Sequence, residues 1–399
     1  MKKSKADGTG TGPPQRVSLD IETYSSVDLA KAGVYRYAES PDFQVLLIGW
    51  SVDGGPVSVV DLASGEALPP ELLCALLFPS VEKWAFNASF ERVCLSRLLR
   101  DRGCLKPGCF ISPVSWRCTM VWSAYLGIPM SLADAGAVLG LEKQKLTEGK
   151  DLIRFFCRPA KPSLLNGGGV RNLPSTDPEK WKRFVDYNIR DVETEQGIQK
   201  RLSGYPVPDS VWKEYEMDQR INDRGILVDQ EFVESALCVD RLSRTELTAE
   251  LARLTEISNP NSVPQIREWL TLHGQETENL SKAEVRCMLE QAPPEIREVL
   301  LLRQQLSKTS MKKYTAMVNS FCSDGRVRGM FQFYGAARSG RWAGRLVQLQ
   351  NLPQNHIPEL SGVRSLVQGE DYASLKMLYD SVPDALSDGF AFVGSKAGQ

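Results

Sequence analysis

Hydrophobic and polar residues alternate with period two from Arg16 to Tyr24, where Val17, Leu19 and Ile21 interleave with Ser18, Asp20 and Glu22. That is the pattern of a strand with one buried face. Residues 43–50 and 56–61 read as further strands, with Gly54 and Gly55 in the turn between them. Residues 84–86 form a short strand that runs into Phe90, Val93, Cys94 and Leu98 at helical spacing, with Asn87 at the cap. Residues 131–140 read as a capped helix and 151–156 as another. The stretch 158–174, with glycines at 167–169, is a long polar loop, and such loops inside a domain are functional or disordered. Asp177 and Pro178 then open a long helix, as cap and first position. Its apolar stripe is Trp181, Phe184, Val185, Ile189 and Val192; Tyr187 and Asp191, four apart, share a face off the centre of that stripe.

The second half reads differently. Residues 205–208, Tyr-Pro-Val-Pro, are a linker, and helix signals dominate beyond them. Helices are predicted over 211–222, 229–254 and 371–386, and one long helix over 295–319 groups Lys308, Lys312 and Lys313 on one side. The tail from 387 to 399 dissolves into Gly, Ala and Ser. The resulting expectation is a flexible leader over 1–15 and an α/β domain over 16–205, a mixed sheet flanked by helices. A mostly α-helical region over 206–323 and an incomplete α+β region over 324–399 follow.

A length of 399 residues accommodates two or three domains, and 42% hydrophobic with 24% charged residues is the balance of a soluble globular protein. The leader lacks the apolar run of a signal peptide, and no stretch reaches the roughly eighteen apolar residues of a membrane helix. Nine cysteines, an odd count without a CxxC pair, point to reduced thiols in a cytoplasm, bacterial or that of a phage's host. They speak against a zinc knuckle. Only His273 and His356 are present, so histidine-based catalysis is a poor fit. The net charge of −1 hides an asymmetry. Residues 303–358 hold nine lysines and arginines against one acid, Asp324, so the remainder is acidic and this segment suits a polyanion.

Candidate chemistry begins at Asp20 and Glu22. On one strand face their Cα atoms lie roughly 6.5–7 Å apart. Paired carboxylates repel unless a cation sits between them, which points to Mg²⁺ or Mn²⁺. Glu91 falls in the first turn of a helix at the carboxyl end of a strand, where clefts of α/β sheets open, and Asn87 is placed to fix a neighbouring loop. The order Asp-x-Glu, then Asn-x-x-Phe-Glu (Asn87, Phe90, Glu91), then Tyr-x-x-x-Asp resembles the tyrosine branch of the DEDD 3′–5′ exonucleases, a ribonuclease H-like α/β fold, over roughly 16–205. The resemblance implies that Asp20, Glu22, Glu91 and Asp191 hold two divalent ions and that Tyr187 positions the attacking water. Glu91 departs from the Asp usual at the second motif, one methylene longer.

In the segment 331–353, Arg338, Arg341 and Arg345 are separated by small residues and followed by Gln348, Gln350 and Asn351. Glycines let the backbone approach phosphates, arginines neutralise them, and Gln or Asn can bond minor-groove acceptors. This resembles the template–primer motif that opens the palm of family A (DNA polymerase I-like) polymerases, phage versions above all; 216–229 with 259–262 resembles the start of their thumb. The catalytic Asp, the fingers Lys and Tyr and the His-Asp-Glu turn of that family have no counterpart here. The resemblance therefore implies an exonuclease, a thumb and the start of a palm, binding DNA without adding nucleotides alone. A separately encoded polymerase half is a further candidate partner. Two other readings stand beside it: an RNA 3′-end exonuclease, and an inactive DNA-binding fragment.

Overall fold

Five strands form a mixed sheet in the computed structural model, which describes residues 14–142, 148–308, 311–336, 339–352 and 357–389. They are β1 (Arg16–Tyr24), β2 (Gln44–Val52), β3 (Ser58–Asp61), β4 (Glu82–Ala85) and β5 (Trp116–Cys118), in the order β3-β2-β1-β4-β5. β1 pairs antiparallel with β2 and parallel with β4; β2–β3 is antiparallel and β4–β5 parallel. β1 is thus central. The expected single buried face gives way to burial on both, Ser18 and Glu22 included, because helices cover each side of a central strand.

The helices of this sheet are α1 (Leu29–Glu39), α2 (Pro70–Leu77), α3 (Ala88–Asp101), α4 (Thr119–Tyr125), α5 (Leu132–Val138), α6 (Gly149–Phe156), α7 (Pro178–Leu202) and α8 (Asp209–Arg224). α1 has no clear apolar period and breaks at Gly33 (φ 76°). α7 starts where Asp177 accepts from the Lys180 N–H at 3.0 Å, ahead of Pro178. Polar ties set its register on the sheet. Trp181 Nε1 donates to Asp61 Oδ2 at 2.7 Å, Gln196 Nε2 to Ser51 Oγ at 2.8 Å and Gln199 Nε2 to Ser18 Oγ at 3.2 Å. The approach is close enough that a Cβ on Gly49 of β2 would lie 2.6 Å from Asn188 Oδ1.

A second set of elements comprises β6 (Ile226–Leu227), α9 (Gln230–Thr255), α10 (Val263–Leu272), α11 (Lys282–Gln291), α12 (Pro294–Leu306), α13 (Met311–Ser320) and β7 (Arg326–Val327), which pairs with β6. The hairpin β8 (Phe331–Ala336) and β9 (Arg341–Gly344) comes next, then α14 (Leu360–Gln368), α15 (Tyr372–Leu378) and α16 (Val382–Gly389). The single helix expected over 295–319 is two, α12 and α13, and 371–386 is likewise divided. The first break falls at Ser307, the C-cap of α12.

The described residues form two compact units, one up to Gly225 plus Arg328–Arg345, the other Ile226–Val327 plus those from Leu346 onward. The first reaches past the 205–208 linker because α8 is bonded to the sheet domain. Arg92 of α3, fully buried, holds Asp223 at 2.7 and 2.9 Å and the Ile111 carbonyl at 2.9 Å. The β8–β9 hairpin joins it through Asn222, which exchanges hydrogen bonds with the Phe331 backbone at 3.0 and 3.1 Å. The second unit has its own core of Leu251, Ile266, Leu270, Val299 and Leu300. No described helix is long and apolar enough to cross a membrane.

Candidate functional site

Asp20 and Glu22 stand on the face of β1 that α7 covers. Asn188 of α7 donates from Nδ2 to Asp20 Oδ2 at 2.8 Å. Glu22 is buried, and its Oε2 takes the thiol of Cys157 at 3.7 Å. Glu91 arrives from the other direction, in the first turn of α3 directly after β4. The chain turns there at Asn87, in the left-handed region (φ 85°, ψ 45°). Asn87 occupies the cap position, but its side chain makes no cap and no hydrogen bond among the described residues. Phe90 is half-buried, its ring 6.2 Å from that of Tyr37.

Glu91 is buried and its Oε2 has no hydrogen-bond partner among the described residues. Burial, then the charge of Asp20, pushes its carboxyl well above the usual range, with Glu195 and Glu22 acting in the same direction. Tyr187 is hydrogen-bonded to Asp191. Burial, then the charges of Asp191, Glu22 and Asp20, pushes its phenol far above the ordinary value. Its ring lies parallel to Phe184 and against Gly149, where a Cβ would come within 2.1 Å of it. Asp20 and Glu22 thus act on both Glu91 and Tyr187, and Asp191 acts on Tyr187. Among the described residues, no three His, Cys, Asp or Glu side chains are grouped as a ready-made metal shell.

Three residues that sequence reasoning did not single out belong here. Asn188 precedes Asp191 by three positions, a helical spacing that could have flagged it. Glu195, one turn beyond Asp191, accepts from Thr119 Oγ1 at 2.7 Å and Gln199 Nε2 at 3.0 Å, and burial pushes its carboxyl up to about 7. Cys157 comes from the end of α6, and no local sequence signal marks it.

A cleft of about 580 Å³ opens beside α6 and the first turns of α7, lined by Arg154, Phe155, Asn172, Lys180 and Arg183 among others. Lys180 Nζ sits 4.5 Å from the centre of the Phe155 ring. Lys180 and Arg183 precede Tyr187 by seven and four residues, so the cleft continues the face of α7 that carries the tyrosine. The 158–174 loop is ordered at its end, with Arg171 over the Tyr24 ring at 4.0 Å and bonded to Gln44 at 3.0 Å.

The basic candidates fall in both units. In the first, Arg341 is exposed and makes no ion pair among the described residues, while Arg345 bonds Gln332. Arg338 lies outside the described residues. In the second, Lys308 is paired with Asp384 at 2.5 Å, and Lys313 donates to the Val347 and Gln348 carbonyls at 3.2 Å each. Lys312 is exposed and without an ion pair among the described residues. Gln350 and Asn351 lie in a 3₁₀ turn, where Asn351 bonds Gln348 at 3.0 Å.

No family model matches the chain. Over 372 residues, 93% of this chain, the sequence is 46% identical to the DNA polymerase of Bacillus phage SP02, and the match covers 56% of that protein. The chain thus spans about half the length of this relative. Among solved structures, the POL domain of Pol1 from M. smegmatis, in complex with DNA primer-template and dNTP, is similar with a TM-score of 0.51 at 16% identity. That likeness covers 88% of this chain and 54% of the other, and at such identity it is one of fold.

Proposed function

We propose that the chain, which spans about half the length of the phage DNA polymerase it matches, is a metal-dependent 3′–5′ exonuclease joined to a DNA-gripping part of a family A DNA polymerase. The α/β body is the exonuclease, of ribonuclease H-like type; the helices from α9 to α13 are the thumb, and the hairpin with the turn after it opens the palm. The observation that carries the reading is the buried Glu91, with an unpartnered Oε2, under the fields of Asp20 and Glu22.

The donors fit the implied ions. All are carboxylate oxygens, the hard ligands that Mg²⁺ and Mn²⁺ take, and the buried Glu91 Oε2 has no hydrogen-bond partner among the described residues. Asp20, Glu22, Glu91 and Asp191 are the residues that would hold them. When bound, two such ions supply charge neutralisation at a phosphodiester and a water of lowered pKa. Asn188 keeps Asp20 in one orientation. Tyr187, its hydroxyl hydrogen-bonded to Asp191, would position the attacking water by hydrogen bonding. Phe155 would offer a ring to a base and Arg154 a charge to a phosphate of the strand leading to the site, beside Lys180 and Arg183, which are paired with Asp177 and Glu148.

Labelled DNA and RNA strands with free 3′ ends, incubated with Mg²⁺ and the wild type or Asp20→Ala, test the reading. Stepwise shortening of DNA that Asp20→Ala abolishes with binding retained supports it. Preference for RNA would move it to RNA trimming, and no shortening of either strand would contradict it.

A further inference from the structure

β1 and β2 slip in register beside the proposed ligand Glu22. Glu22 pairs with Leu47, but Thr23 pairs with Val45, so Leu46 has no opposite residue. Bulges of this kind re-aim side chains and are frequent next to active sites. The group that meets this irregularity comes from elsewhere in the chain. Cys157 ends α6, where its N–H bonds the Ile153 carbonyl at 2.9 Å, and its side chain is buried in the cluster of Leu152, Phe156 and Tyr187.

The Cys157 thiol meets the residue that precedes the slip: Sγ donates to Glu22 Oε2 at 3.7 Å. We infer that Cys157 is a positioning residue for Glu22, holding Oε2 beside the register slip. A glutamate has three side-chain torsions to fix, and a group that pins one oxygen removes most of that freedom before a cation arrives. This rests on Glu22 being a metal ligand, as proposed above.

The test compares Cys157→Val, which keeps apolar bulk and removes the donor and acceptor, with Cys157→Ser, which keeps both. Mn²⁺ affinity of the full chain is read by paramagnetic resonance of the free ion, and the Mg²⁺ concentration for half-maximal 3′-end hydrolysis is read in parallel. The expected result is an affinity lowered about tenfold or more in C157V and restored to within about threefold in C157S. Unchanged affinity in C157V, or a loss in C157S equal to that in C157V, overturns the inference. Should C157V not fold, C157A removes the same donor, and the same outcomes decide. Wild-type Mn²⁺ binding that Asp20→Asn leaves untouched would instead remove the nuclease reading, and this inference with it.

Discussion

Asn188 donates to the carboxylate of Asp20 at 2.8 Å across a sequence separation of 168 residues, joining the long helix α7 to the first strand of the sheet. The same side chain faces Gly49, where any Cβ would collide with it. Asn188→Ala removes the donor and leaves Asp20 free to rotate. The expected outcome is a Mg²⁺ requirement raised about tenfold for 3′-end hydrolysis, with the circular dichroism spectrum retained. A metal requirement equal to wild type would show that Asp20 is held by other means.

Gly149 is the second tight spot. A methyl group there would lie 2.1 Å from the Tyr187 ring, so Gly149→Ala must shift the tyrosine or the start of α6. Thermal unfolding should report a loss of about 1–3 kcal/mol, and hydrolysis should fall with it. Gly204→Ala, with nothing near the added carbon, serves as the comparison and should leave both unchanged.

Glu195 gives a pH dependence. Its carboxyl titrates at about 7 in the folded chain against an ordinary 4.5, because burial disfavours the charge more than Thr119 and Gln199 favour it. A raised acid holds its proton more tightly when folded, so its contribution to stability is full below about 4.5 and is lost as pH rises through about 7. The amount is of order 3 kcal/mol. Urea unfolding of Glu195→Gln should show a shallower decline of stability between those pH values than wild type. Parallel curves would mean that Glu195 stays charged.

Arg341 and Lys312 are exposed without ion pairs among the described residues, whereas Lys308 is engaged by Asp384. Each of Arg341→Ala and Lys312→Ala should reduce the slope of log affinity for duplex DNA against log salt by about one. Lys308→Ala should reduce it less. Equal slopes for all variants would place the phosphate contacts elsewhere.

Local signals made much of this legible. The Asp177-Pro178 start, the Ser131 cap and the Gly54 turn are written in adjacent residues, and each forms as read. So do Asp20 and Glu22 on one strand, and Tyr187 with Asp191 on one helix face. What stayed hidden depends on pairing across the chain. The central place of β1, the register slip at Glu22, the Cys157 thiol and the Arg92–Asp223 pair that draws α8 to the sheet leave no periodic trace. The division between α12 and α13 was hidden for another reason. Its apolar spacing runs on through Ser307, where α12 ends.

The central claim is that Asp20, Glu22, Glu91 and Asp191 hold two divalent ions. Anomalous scattering from crystals of the chain soaked in Mn²⁺ measures this directly. Two peaks about 3.5–4 Å apart, ringed by those four carboxylates, are the predicted result. Peaks only at other surface acids, or none within the pocket of Glu91, would contradict the account.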